Sequence, residues 1–295
     1  MENIHHPMVS VFTPVYNRAH TICRVYDSLC RQTCSDFEWI VINDGSDDNI
    51  QQVMKSLMDK GKIKINFITQ ERGGKYRAFN KGLELAKGVF IFVVDSDDSL
   101  AINAIELILK YGKPLLDNPD FAGLSGLDVD MEGKMITKFP FLSPIDSTPI
   151  DIRTKYKIHG DLSEVFKTDI IKKFMFPQIK GELFCSEALL LSRLTSADLK
   201  IRYYPEIFKI VEYLPDGISK NINFERIKSP VLSFTLYKEL IALKQPFSHK
   251  FKWSVNLWRF FFHSKPIKKK ETLPYYWILT LPLGLLLFLK DKIKY

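Results

Sequence analysis

Three charged clusters in the first hundred residues have the composition and spacing to do chemistry. Asp95-Ser96-Asp97-Asp98 follows the apolar run 89–94. Carboxylates crowded at the end of a buried strand repel one another and persist only where positive charge sits among them. A hard divalent cation, Mg²⁺ or Mn²⁺, meets that need and commonly shares its site with substrate phosphates. The competing reading, Asp98 or Ser99 capping a helix that begins near Ala101, accounts for one carboxylate and leaves the others. The second cluster, Asn43-Asp44-Gly45-Ser46-Asp47-Asp48, reads on its own as a turn that caps a helix. In the third, Arg72-Gly73-Gly74-Lys75-Tyr76-Arg77, two glycines let backbone approach a ligand and cations gather at a helix start. That combination suits phosphate, although a solvated loop has the same composition. Neither the dinucleotide-binding GxGxxG pattern nor the Walker phosphate loop occurs, so a Rossmann dehydrogenase and a P-loop NTPase are not supported.

The elements that must position these clusters follow from hydrophobic periodicity. The runs 9–13, 39–44, 63–69 and 89–94 are mostly apolar, as buried strands are. Helical spacing fills the intervals, over about 19–32, 48–60 and 76–87. This alternation predicts an α/β fold whose mostly parallel central sheet is covered on both faces. Ligands of such sheets sit beyond the carboxyl ends of the strands, where all three clusters fall. Further along, strands are expected near 121–127 and 135–139, a proline-rich loop over 140–149, and helices at 167–173 and 187–197.

These residues together resemble the family 2 glycosyltransferases of the GT-A fold. The likeness runs from Val9-Ser10-Val11-Phe12-Thr13-Pro14-Val15-Tyr16-Asn17-Arg18 through Asn43–Asp48, Gly73-Gly74-Lys75, Asn80-Lys81-Gly82 and Asp95–Asp98. It continues more weakly through Gly160-Asp161, Phe166-Lys167-Thr168 and Phe176-Pro177 to Glu182, Glu187, Glu212-Tyr213 and Asp216-Gly217. The resemblance implies a nucleotide-sugar donor, most often carried by UDP, a divalent metal, and inversion at the anomeric carbon. By the same resemblance Pro14, Tyr16 and Asn17 line the nucleotide pocket, Asp44 accepts a hydrogen bond from the base, and Asp47 lies close by. Asp95-Ser96-Asp97 would be the DxD motif, with Asp95 on ribose or sugar and Asp97 on the metal. Lys75 and Arg77 would face ribose or diphosphate. The chain reads Ala78-Phe79-Asn80 where many relatives read Ala-Arg-Asn, and its arginine stands at Arg77 instead.

Inverting transfer needs a general base for the acceptor hydroxyl. Glu187 opens a strongly apolar helix, and in similar proteins the carboxylate at this place faces the anomeric carbon. Glu182 is the rival base, and a first-turn glutamate that stabilises the helix dipole is the bland alternative for Glu187. His159 and Asp161 could lie on the acceptor side, with Asp98 of second rank. Cys185, beside the expected base, reads as a small buried hydrophobe.

The balance of 42 Lys+Arg against 34 Asp+Glu in 295 residues is unevenly distributed. Residues 226–295 hold 14 basic and 3 acidic side chains, whereas residues 1–225 are slightly acidic. An apolar, charge-free run, 273–289, is flanked by Lys268-Lys269-Lys270 and by Lys290, Lys292 and Lys294. At 1.5 Å per residue it reaches about 25 Å, short of the roughly 30 Å hydrocarbon core. With the aromatic stretch 250–262 it predicts a tail associating with an anionic membrane surface rather than spanning it. Helices packed on the catalytic body are the alternative, and no recognised module supports nucleic acid as the partner. Three regions are therefore expected: a nucleotide-sugar-binding half (1–105), an acceptor and catalytic-base half (106–225), and a membrane-associating tail (226–295). Four cysteines without CxxC spacing and an N-terminus without basic and apolar regions point to a reduced, cytoplasmic chain on the inner face of the membrane. The expected activity is extension of a glycan or lipid-linked glycan for surface polysaccharide. A sugar nucleotidyltransferase and a non-catalytic carbohydrate-binding relative are the alternatives. The first lacks a glycine-rich triphosphate loop at 14–18, and the second leaves Asp95, Asp97 and Glu187 without a purpose.

Overall fold

The computed structural model describes residues 6–138, 141–212, 214, 217–264 and 275–295. The first half alternates strand and helix: β1 (Val9–Val15), α1 (Ile22–Cys30), β2 (Phe37–Asp44), α2 (Ile50–Asp59), β3 (Ile65–Gln70), α3 (Lys75–Leu85), β4 (Phe90–Val93), β5 (Ser99–Leu100) and α4 (Ala104–Gly112). Then follow β6 (Phe121–Asp130), β7 (Ile145–Ser147), α5 (Asp151–Thr154), β8 (Leu162–Lys167), α6 (Thr168–Ile171), α7 (Ala188–Ser196) and β9 (Lys200–Val211). The tail is helical: α8 (Ile218–Lys228), α9 (Pro230–Ala242), α10 (Phe247–His263) and α11 (Leu281–Lys294).

The strands form one sheet in the order β3-β2-β1-β4-β8-β6-β9-β5, with β7 paired to β9. β1 to β4 are mutually parallel, as their mostly apolar sequences lead one to expect, but β8 runs antiparallel to both β4 and β6. From β1 the chain proceeds outward to β2 and β3 on one side and returns to β4 on the other. The reversal creates a crevice at the carboxyl ends of β1 and β4, where open α/β sheets bind ligands. Pro14 helps to open it. β2 pairs along the whole of β1, whereas β4 pairs only as far as Phe12. A residue without an N–H therefore falls where the β4 ladder has ended.

Each sheet face carries its own core. Phe12, Ile40, Ile42 and Ile91 pack with residues of α3, α7, α9 and α10, while Val11, Trp39, Val41 and Phe92 pack with those of α1, α2 and α4. Four local expectations change. The Asp95–Asp98 turn leads into β5 rather than into a helix near Ala101, and α4 begins later, after Asn103. At 135–138 only isolated bridges form, to Val129 and His159. Within the proline-rich loop, Ile145–Ser147 adds a strand against β9. Leu257, Trp258 and Phe260, grouped by sequence with a lipid-facing surface, are buried. Lys268–Lys270, Tyr213, Asp216 and the start of the apolar run lie outside the described residues.

α11 is fastened to α10. Arg259 donates to both oxygens of Asp291 at 2.6 Å, and the His263 imidazole lies 3.0 Å from one of them. Gly284 lets the helices approach, since a Cβ there would stand 2.4 Å from that of Trp258. No described helix is long and apolar enough to cross a membrane. Because a hydrogen bond to a charged group contributes about 1.5–3 kcal/mol, Asp291→Ala should raise the opening of α11 roughly ten-fold or more, measured as faster amide exchange over residues 281–294.

Candidate functional site

The loops at the carboxyl ends of β1 and β2 are joined by hydrogen bonds. Asn17, at a positive φ of 51°, donates its N–H to Ser46 Oγ at 2.9 Å and accepts the Asp47 N–H on its side-chain oxygen at 2.9 Å. The Ala19 N–H reaches Asp48 Oδ2 at 2.8 Å. Tyr16 stands beside them with the Arg72 guanidinium stacked 3.3 Å from its ring centroid. Asp44, at the end of β2, is buried and accepts Gln70 Nε2 (2.7 Å), Gly73 N–H (2.8 Å) and Gly74 N–H (2.7 Å). The carboxylate that the resemblance sets against a base holds the glycine loop in place.

That loop adopts a conformation few residues allow. Gly74 has a φ of +89°, and a Cβ there would lie 1.8 Å from the carbonyl oxygen of Leu183. The close approach seats Lys75, the first residue of α3, among carboxylates from two other elements. Its ammonium lies 2.7 Å from Asp95 Oδ1 and 2.8 Å from Glu187 Oε1. Burial works against the charged lysine, but Asp95 and Glu187 outweigh it and hold the ammonium firmly protonated. Three residues assigned from sequence to donor and base therefore meet at one cation. They line a cavity of about 100 Å³ whose walls include Tyr76, Phe79, Phe176, Leu190 and Leu191.

Behind this cation lies a second charge network that the sequence reading missed. The Lys209 ammonium, on β9, is 3.5 Å from Asp98 and 3.6 Å from Asp128. Burial opposes its charge, yet Asp128 and Asp98 keep its pKa well above the usual lysine range. Burial also lifts Asp95, but Lys75 and Lys209 prevail and hold its carboxyl low. Asp97, half-buried, is raised by desolvation and then by Asp95. Asp98 is pushed up to about 7 by burial, Lys209 notwithstanding. Glu164, on β8 beside the cavity, is likewise raised to about 7 by burial despite Arg153. The available signal for Glu164 was an ionisable residue at an inward position, sharing a strand face with Leu162 and Phe166.

Other expected site residues have different occupations. Glu182 accepts the N–H groups of Val231 (2.7 Å) and Leu232 (2.8 Å), so it caps the first turn of α9. Arg77 donates to the carbonyls of Gly73 (3.3 Å) and Ile179 (2.5 Å). His159 and Asp161 are exposed, and neither lines the cavity. Ser96 is buried in the Asp95–Asp98 turn. Cys185 is raised to about 12 by burial, which leaves an unreactive thiol.

Two outcomes follow. Gly74→Ala meets backbone and a strained φ together, and should lower stability by about 2 kcal/mol or more, read as a fall in Tm. The raised carboxyls give stability a slope in pH. Glu164 and Asp98 remain protonated in the folded chain up to about pH 7, whereas free carboxyls ionise near pH 4, so unfolding releases protons and stability declines across that interval. Glu164→Gln should therefore show a shallower fall in Tm than the natural chain as pH rises from about 5 to 8.

The fold and the motif region have counterparts among known proteins. The glycosyl transferase family 2 model matches residues 10–120. The chondroitin synthase of Pasteurella multocida is 39% identical over 104 residues, which are 35% of this chain and 11% of that protein. The chain thus spans about a tenth of the length of this relative. Among solved structures, Staphylococcus aureus TarS 1–349 in complex with UDP superposes with a TM-score of 0.58 at 18% identity, covering 94% of this chain and 79% of the other. The mannosyltransferase PcManGT from Pyrobaculum calidifontis, in complex with GDP-Man and Mn²⁺, does so with a TM-score of 0.60 at 16% identity, covering 98% and 89%. At such identities the superpositions establish a shared GT-A fold, and the match to the glycosyl transferase family 2 model extends over residues 10–120 of this chain.

Proposed function

We propose that the chain is an inverting, divalent-metal-dependent glycosyltransferase of the hexosyltransferase class. It moves a sugar from a nucleotide-diphosphate donor, a UDP-sugar, to a hydroxyl of a glycan or lipid-linked glycan at the inner face of the cell membrane, in surface-polysaccharide synthesis. The observation that carries this reading is the Lys75 ammonium bridging Asp95 and Glu187 in the lining of a cavity shared by charged and apolar side chains.

In this reading Glu187 takes the proton of the acceptor hydroxyl. The acceptor oxygen forms its bond to the anomeric carbon from the face opposite the phosphate. The bond from that carbon to the phosphate oxygen breaks, and the nucleoside diphosphate leaves with the electron pair. Lys75 holds Glu187 in position from the donor side, and its charge lies where negative charge accumulates on the leaving group. Tyr16, Asn17, Asp44 and Asp47 form the nucleotide end of the crevice. Glu182, engaged as a helix cap, is less available as base, which favours Glu187.

Among the described residues no group of three or more His, Cys, Asp or Glu side chains is arranged to enclose a metal ion. The donor set is instead a pair of carboxylates, Asp95 and Asp97, whose repulsion helps to raise Asp97. Such a pair fits Mg²⁺ or Mn²⁺, which bind through one or two carboxylates and complete their shells with phosphate and water. Asp97 would hold the ion with Asp95 beside it, and the ion would supply charge neutralisation for the departing diphosphate. The Mn²⁺ and GDP-Man of PcManGT and the UDP of TarS are consistent with this chemistry.

Glu187→Gln should lower kcat for transfer by roughly 10²–10⁴-fold while donor affinity changes only a few-fold, measured by product formation and by titration calorimetry with a UDP-sugar. Full transfer by that variant would remove Glu187 from the role. Chelation should abolish turnover and added Mn²⁺ restore it; turnover indifferent to chelators would overturn the metal assignment.

A further inference from the structure

α11 has two unlike faces. Gly284, Phe288 and Asp291 lie along one side and pack on α10, with Phe288 4.7 Å from the His263 ring and Asp291 engaged by Arg259. The opposite side presents Leu286, Leu289 and Ile293 at helical spacing, continued by Leu279 and Leu283, and all five are exposed. Leu279 and Ile293 keep 87% and 88% of their surface open, values that a folded chain rarely gives to aliphatic residues arranged in a row. Exposed Tyr276 and Phe247 continue the patch, the latter through its stack on Trp277 at 5.7 Å. At 100° per residue, Lys290 and Lys294 fall on one border of the strip and Lys292 on the other. All three are exposed, and the helix's acidic residue, Asp291, is buried against α10.

We propose that this strip lies on the surface of a bilayer containing anionic phospholipid, with α11 parallel to the membrane plane. An apolar strip with a lysine border on each side matches acyl chains below and anionic headgroups beside the helix. A second copy of the chain is a poorer occupant, because pairing strip to strip would bring the lysine borders together with no exposed carboxylate on the helix between them. At 14 residues α11 is about 21 Å long, so it lies along the membrane instead of crossing it. The clip to α10 turns the strip outward, which makes α11, and not the buried aromatics of α10, the contacting element. The inference deepens the membrane placement in the proposed function and is separable from its chemistry: loss of vesicle binding would leave donor turnover on a soluble acceptor intact, and loss of turnover would leave vesicle binding intact.

The test is co-sedimentation of the full chain with phosphatidylcholine vesicles, with and without phosphatidylglycerol. Binding should require phosphatidylglycerol and weaken with salt. The double variant L286E/L289E should bind at least ten-fold more weakly with an unchanged Tm, since both side chains face solvent. K290E/K294E, which leaves the apolar strip untouched, should lose the preference for phosphatidylglycerol. Wild-type protein that stays in the supernatant, or L286E/L289E that still pellets like wild type, would overturn the proposal. So would a dimer in sedimentation velocity that L286E/L289E dissolves, which would assign the strip to a second copy.

Discussion

Too many carboxylates share too little water at the carboxyl end of β4, and much of the site's arrangement answers that constraint. Asp95, Asp97, Asp98, Asp128, Glu164 and Glu187 converge on the region around two lysines, Lys75 and Lys209. Each lysine is placed by a different part of the chain, one at the start of α3 and one near the end of β9. Where burial outweighs the nearby cation, carboxylates respond as desolvation requires. Asp98 and Glu164 rise to about 7, and Asp97 rises beside Asp95. A stability-driven core would replace such residues with apolar ones. Their presence accords with the proposed site for a charged ligand.

Much of this was legible in the sequence. The four parallel strands were plain because strands buried on both faces must be apolar, and the clusters stood at their ends. The order of those clusters along the chain identified the domain. Lys75, Asp95 and Glu187 could be named, and they meet. What could not be read was anything decided by pairing across long separations. Glu182 and Glu187 are both acids just before an apolar helix, and only the arrival of α9 distinguishes them, by taking Glu182 as its cap. Lys209 and Glu164 sit in strands that the pattern did not reveal. β8 is short and carries two charged residues, while β9, LysIleArgTyrTyrProGluIlePheLysIleVal, looks too polar for a strand until its partners β5, β6 and β7 are known.

The tail illustrates the same limit. Its net charge and apolar run were evident, but which aromatics face the body and which face outward depends on how α10 and α11 dock. Trp258 and Phe260 enter the protein, and Leu283, Leu286 and Leu289 of α11 remain outside. Hydropathy measures how apolar a segment is and not where that segment points.

The contact between Gly74 and Leu183 has a wider consequence. The loop that precedes α3 and the segment that delivers Glu187 touch backbone to backbone, with no side chain between them to yield. In the proposed transferase, a diphosphate that shifted the glycine loop would displace the segment carrying the proposed base as well, coupling the proposed donor side to the proposed acceptor side. Transplanting either stretch alone from a protein of the same fold would break that registration, and the two belong in any exchange as a single piece.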